Sequence, residues 1–155
     1  MGLDQYAHSV SQKYARRVEI YEKLKEVSRM AETQEDRERL SSQASEYWDT
    51  YVQPERVSIA VWRKHANLNG WMSQLAVEKE VVDTVDQFNC VDLVITLSDL
   101  KELKDEITGT GELPHASGFF WGESTPEDYE NDLKFISMAE AEIKRGRIIL
   151  YSCWW

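Results

Sequence analysis

The chain has 155 residues, with 18 Lys and Arg against 28 Asp and Glu and 42% hydrophobic residues, enough for one domain with a core and too apolar for a disordered chain. Its net charge of −10 excludes general affinity for nucleic-acid backbone or an anionic membrane surface. No run of 18 apolar residues occurs, which excludes a spanning helix, and two cysteines 63 positions apart make neither a disulfide framework nor a zinc knuckle.

Met1-Gly2-Leu3-Asp4-Gln5-Tyr6 has neither the basic nor the apolar stretch of a secretory leader, and Tyr6 stands where a myristoylation motif wants Ser or Thr. A cytoplasmic location is the expectation. Alternation over 3–8 predicts a short strand. The period then changes: Val10, Tyr14, Val18, Tyr21, Leu24, Val27 and Ala31 form the narrow stripe of an amphipathic helix, with Ser11 as its expected N-cap. Thr33 with Asp36 starts a second helix, whose face of Leu40, Ala44, Tyr47, Trp48 and Tyr51 ends near Pro54. The two make an antiparallel hairpin over 11–51.

Residues 56–61 fit either a strand or a first helical turn, and 66–77 are helical in period. The β-branched run 89–97 reads as the best strand in the chain, with Ser98 capping a helix that stops at Gly109 or Gly111. Gly118-Phe119-Phe120-Trp121-Gly122 reads as a short aromatic strand. Thr125 and Pro126 open a long helix, with Leu133, Ile136, Ser137, Ala141 and Ile143 on its expected buried face and Gly146 at its end. Residues 148–155 form a last strand. The sum is an α+β domain over 1–155: a small, mainly antiparallel sheet of four to five short strands packed with helices, plus the inserted hairpin.

The acidity has an address. Residues 78–142 hold 17 acidic side chains against four lysines, a net of −13. Asp99, Glu102, Asp105 and Glu106 on one predicted helix, and Glu127, Asp128, Glu130 and Asp132 on the next with Glu123 just before it, either form solvated faces or make a surface complementary to a basic partner. A ligand site would instead draw on Trp62, Arg63, His65, Asn69 and Trp71, with His115 and Trp121; the same aromatics equally suit a core. Trp154 and Trp155 either plug the core or dock a second copy of the chain. Cys90 and Cys153 either sit as neighbours across strands or are two reduced, buried thiols, the latter being the expectation. Neither a phosphate loop nor a nucleophile elbow is present, and no pattern calls for a metal or cofactor.

Several blocks together resemble a family of small, mostly uncharacterised tailed-phage and bacterial proteins. They are Met1-Gly2-Leu3-Asp4-Gln5-Tyr6; Trp62-Arg63-Lys64-His65-Ala66-Asn67-Leu68-Asn69-Gly70-Trp71-Met72; Leu113-Pro114 leading into Gly118-Phe119-Phe120-Trp121-Gly122; and Tyr129 with Asp132-Leu133-Lys134. The resemblance covers most of 1–8 and 57–155, and 11–51 falls where that family varies. Some members carry the label phosphoglycerate kinase, which a chain of this length without a nucleotide loop does not support. Members often have His where this chain has Asn69, which lowers an enzymatic expectation. The resemblance implies a phage accessory protein acting in the host cytoplasm on a host protein, a defence component among the candidates. The competing expectation is a protein that binds or sequesters a small molecule or nucleotide, or a small enzyme.

Overall fold

The computed structural model describes residues 2–155, and the chain divides into two compact units: 1–9 with 58–155, and 10–57. Among the described residues no helix is long and apolar enough to cross a membrane.

The smaller unit is a helical hairpin, α1 (Tyr14–Met30) and α2 (Gln34–Tyr47). Thr33 caps α2 by accepting from the Asp36 amide, as its spacing predicts. Ser11, the expected cap of α1, instead donates to Glu55 at 2.5 Å, and the helix opens at Tyr14 with no side-chain cap. The seam is thin. Tyr14 and Ala44 are the buried residues of the two helices, and Tyr21 meets Trp48 at 4.8 Å. Near Pro54, which brings no N–H to the ladder, α2 loosens into a π-helical turn over Trp48–Val52 and a 3-10 turn over Gln53–Glu55. Arg17 pairs with Glu55 at 2.5 Å and closes the open end.

The larger unit holds an antiparallel four-stranded sheet: β1 (Asp4–Val10), β2 (Val57–Arg63), β3 (Leu93–Ile95) and β4 (Ile148–Trp154), in the order β2-β1-β4-β3. With α3 (Ala66–Glu78), α4 (Leu97–Thr110) and α5 (Pro126–Lys144), the fold is α+β. The pairing Leu93 opposite Tyr151 and Ile95 opposite Ile149 sets four inward side chains against one another, while Val94 faces out. The core gathers Leu3, Leu68, Met72, Phe88, Leu100, Leu103, Phe135 and Ile136 around Trp62 and Tyr151.

Three expectations need correction. Of the run 89–97 only three residues pair, because Cys90 takes a left-handed turn at φ 60 and Thr96, not Ser98, caps α4 in a reciprocal box with Asp99. The 118–122 segment is a turn closed by the Trp121 amide on the Gly118 carbonyl, not a strand; a Cβ at Gly118 would run into the Trp121 ring. The buried face of α5 is rotated by about one residue, or roughly 100°. Asp132, Phe135, Ile136 and Ala139 point inward, while Leu133, Ser137 and Ala141 are exposed. The Cys90 amide does reach the Cys153 carbonyl at 2.9 Å, and both thiols are free; Cys153 is buried as expected, whereas the left-handed turn leaves Cys90 exposed.

Thr96→Ala removes one half of the α4 box and should cost about 1 kcal/mol, read as a lowered urea midpoint with unchanged slope.

Candidate functional site

His65 sits where β2 hands over to α3. Lys64 turns the chain with φ at 62, held by its own amide on the Leu3 carbonyl at 2.8 Å and by the Ala66 amide on the Lys64 carbonyl at 3.0 Å. Gln5, inside the sheet, brackets the His65 backbone: its Oε1 accepts the His65 amide at 3.0 Å and its Nε2 donates to the His65 carbonyl at 3.1 Å. The same Nε2 reaches the Tyr151 hydroxyl at 2.9 Å, which in turn donates to Asn69 Oδ1 at 3.2 Å. With those backbone bonds made, the imidazole is fully buried and fixed in orientation.

The approach to α5 meets this junction closely. Gly122 has φ at 74, and a Cβ there would lie 2.9 Å from Lys64 Cβ, so the segment packs against Lys64 only as glycine. Two residues on stands Ser124, before a capping box in which Thr125 and Asp128 satisfy each other and Pro126 takes the first helical position. Ser124 Oγ lies 2.7 Å from His65 Nδ1, and in the second turn of α5 Asp132 Oδ2 lies 2.8 Å from His65 Nε2. An ionised Asp132 can only accept, so Nε2 carries the ring proton, Nδ1 is bare and the Ser124 hydroxyl donates to it. Ser124 Oγ also accepts the Asn67 amide at 2.9 Å, and the Asn67 side chain donates to the Tyr129 hydroxyl at 2.9 Å and accepts the Ala116 amide at 2.9 Å.

Burial pushes the Asp132 carboxyl above its ordinary range, opposed by the hydrogen bond and charge of His65 and by the Trp62 indole. The opposition is incomplete: Asp132 Oδ1 and the Trp62 indole nitrogen lack a partner at hydrogen-bonding geometry among the described residues. Burial likewise raises the Tyr151 phenol, and it pushes the Cys153 thiol up to about 12, so both are neutral.

Two clefts open on either side of the 113–117 segment. The larger, about 600 Å³, is lined by Trp71, Trp121, His115, Glu78, Glu102 and Glu106 among others, with no Lys or Arg from the described residues in its wall. Gly70 forms its floor against Ala116, where a Cβ would collide with the Ala116 methyl. The smaller, about 390 Å³, is lined by Ser124, Asn67, Tyr129, His115, Glu112 and Glu123 among others.

The expected ligand residues are thus divided. Trp71, His115 and Trp121 do line the larger cleft. Trp62 does not; it is buried edge-on against Phe135 at 5.1 Å, because a full indole fills the space under β2. Asn69 and His65 are buried in the polar network, and exposed Arg63 points to Asp4 at 3.7 Å. The expected acidic surface loses two members. Asp99 is buried by its capping box and its ion pair with Lys79, and Asp132 is buried against His65. Asp128 is held by Thr125, and Asp105, though paired with Lys101, faces solvent together with Glu102, Glu106, Glu123, Glu127 and Glu130. Trp155 packs on Trp121 at 5.3 Å and Trp154 is exposed. The sequence reading missed Ser124, although Asp132 on the stripe of Phe135, Ile136 and Ala139 marks an inward carboxylate that requires a partner. No protein-family model matches the chain, and neither a curated protein nor a solved structure matches it.

A carboxyl raised on folding binds its proton more tightly in the folded than in the unfolded state. Its contribution therefore favours the fold at low pH and is lost as pH rises through the folded value. Asp132→Asn should gain stability relative to wild type as pH rises above the ordinary carboxylate range of about 4, measured as urea midpoints across a pH series; parallel profiles would contradict the raised carboxyl. Gly122→Ala should cost more than about 1 kcal/mol by the same measurement, since it adds a Cβ both at positive φ and against Lys64.

Proposed function

We propose that this is an accessory protein that captures a basic segment of a protein partner in the larger cleft. The observation that carries the reading is a wall of three glutamates and two tryptophans without Lys or Arg among the described residues. Lys or Arg side chains of a partner bring to such a site a charge for Glu78, Glu102 and Glu106, and an alkyl stem or guanidinium plane to lay on Trp71 and Trp121. Anionic ligands, nucleotides included, meet a repulsive wall, which counts against the nucleotide alternative. The resemblance to tailed-phage proteins extends the reading to a host protein, a defence component being one such target, blocked by occupation of its basic surface.

The second reading, a small cationic ligand in place of a protein segment, is favoured by the volume of about 600 Å³, which suits a drug-sized molecule. Both place the cationic group on the same glutamates.

Titration with a Lys- and Arg-rich peptide should change the tryptophan emission saturably, and binding should weaken as salt rises. Charge reversal by Glu102→Lys with Glu106→Lys should cut affinity about tenfold or more. Binding indifferent to both salt and reversal overturns the electrostatic reading. Recovery of a small cation, and no protein, with tagged chain from cells would select the second.

A further inference from the structure

We infer that Ser124 is a nucleophile for acyl transfer, with His65 as its general base and the smaller cleft as the acyl site. Three independent placements point to this role. The Ser124 hydroxyl donates to His65 Nδ1 at 2.7 Å, the distance at which a proton passes between serine and imidazole. His65 is held from behind by a fully buried carboxylate at 2.8 Å, which fixes the tautomer that leaves Nδ1 bare and stabilises the imidazolium formed on proton uptake. Ser124, alone of the three, lines an open cleft, of about 390 Å³.

The ring is used in the sense opposite to the familiar serine-hydrolase arrangement, with Nδ1 facing serine and Nε2 facing aspartate. Both nitrogens belong to one aromatic system, so the proton taken at one is balanced by the bond at the other. The reacting oxygen already accepts one donor. The Asn67 amide, in the first turn of α3, already points at Ser124 Oγ. The Tyr129 hydroxyl accepts from the Asn67 side chain, so its own proton is directed elsewhere, and it lines the same cleft. A carbonyl oxygen seated in the cleft would find its donor in the Tyr129 hydroxyl.

The step balances without a further reagent. Ser124 Oγ bonds to the carbonyl carbon while its proton passes to His65 Nδ1. The bond to the leaving group breaks, and that group departs with the proton from His65. Water then adds to the acyl carbon, gives a proton to His65 and releases the acid, returning the proton to Ser124. Glu112 and Glu123 in the cleft wall disfavour an anionic acyl carrier, so the substrate class is a short ester or thioester of a neutral or cationic carrier. Asp132 touches no substrate and is a positioning residue.

The test is labelling of the intact chain by a fluorophosphonate, followed by peptide mapping, together with release of p-nitrophenol from its acetate ester. One equivalent of adduct on Ser124 is expected. It should be absent in Ser124→Ala and formed about a hundredfold more slowly in His65→Gln. Asp132→Asn should shift the pH profile of labelling, which a purely structural carboxylate would leave in place. Because Ser124 also caps α3 through the Asn67 amide, Ser124→Cys provides a second variant of the same shape. Its new thiol should react with iodoacetamide below the pH at which Cys90 does, and lose that advantage on adding His65→Gln. No adduct on folded wild type, an adduct that maps elsewhere, or a thiol at position 124 no more reactive than that of Cys90 overturns the proposal.

Discussion

An imidazole and a carboxylate sealed together inside an apolar core impose the strongest single constraint on this molecule. Neither can be left unpaired without a cost of several kcal/mol, so the elements that carry them have one acceptable placement. Asp132 forces α5 to lie with its second turn beside the end of β2. His65 then has a second nitrogen to satisfy, and Ser124 satisfies it from the residues just before the same helix. Gln5 contributes from β1 and Asn67 from α3, so sheet, α3 and α5 are keyed by polar bonds as well as by the packing of Trp62 on Phe135. Apolar packing tolerates a sliding helix, whereas directional bonds to a fixed ring do not.

The negative charge is sorted by the same fold. Some acids serve the architecture: Asp99 and Asp128 close helix starts, and Glu142 holds Arg147 at 3.1 Å beside Ser9. Others, Glu78, Glu102 and Glu106, line the larger cleft. Like charges gathered on a wall oppose folding, and a fold selected for stability alone would intersperse lysines there. Their persistence next to Trp71 and Trp121 is the physical ground for reading that wall as a recognition surface.

Much of the fold was legible in the residues, because it rests on local chemistry. Thr33 with Asp36 and Thr125 with Pro126 each announce an element through backbone bonds made within a few residues, whereas β1 runs on to Val10, past the break read after 8. Failures came where a distant contact decides. The run 89–97 has every strand propensity, yet pairing stops where Thr96 finds Asp99 and where Cys90 turns left-handed toward Cys153. The site suffered most from this. Residues 65 and 124 carry no local mark of their meeting, since Gly122 and Lys64 bring them together through the fold. Asp132 did carry a mark, its place on an apolar stripe, but a stripe set on Leu133 turns that residue outward.

The order of the strands bears on how the molecule comes into being. The two central strands, β1 and β4, are drawn from 4–10 and 148–154, far apart in the sequence, and β4 carries β3 on its other edge. During synthesis the hairpin of α1 and α2 can close early from neighbours in sequence and β1 can meet β2, while the other edge of β1 waits for β4, made roughly 140 positions later. Closing so long a loop comes at an entropic cost before any contact rewards it, which favours slow, late assembly of the sheet. Until then the β4 side of β1 stays open, and Gln5 lacks the Tyr151 hydroxyl. Loss of 148–155 alone would remove an interior strand, not an edge, and with it the phenol that holds Gln5 beneath His65.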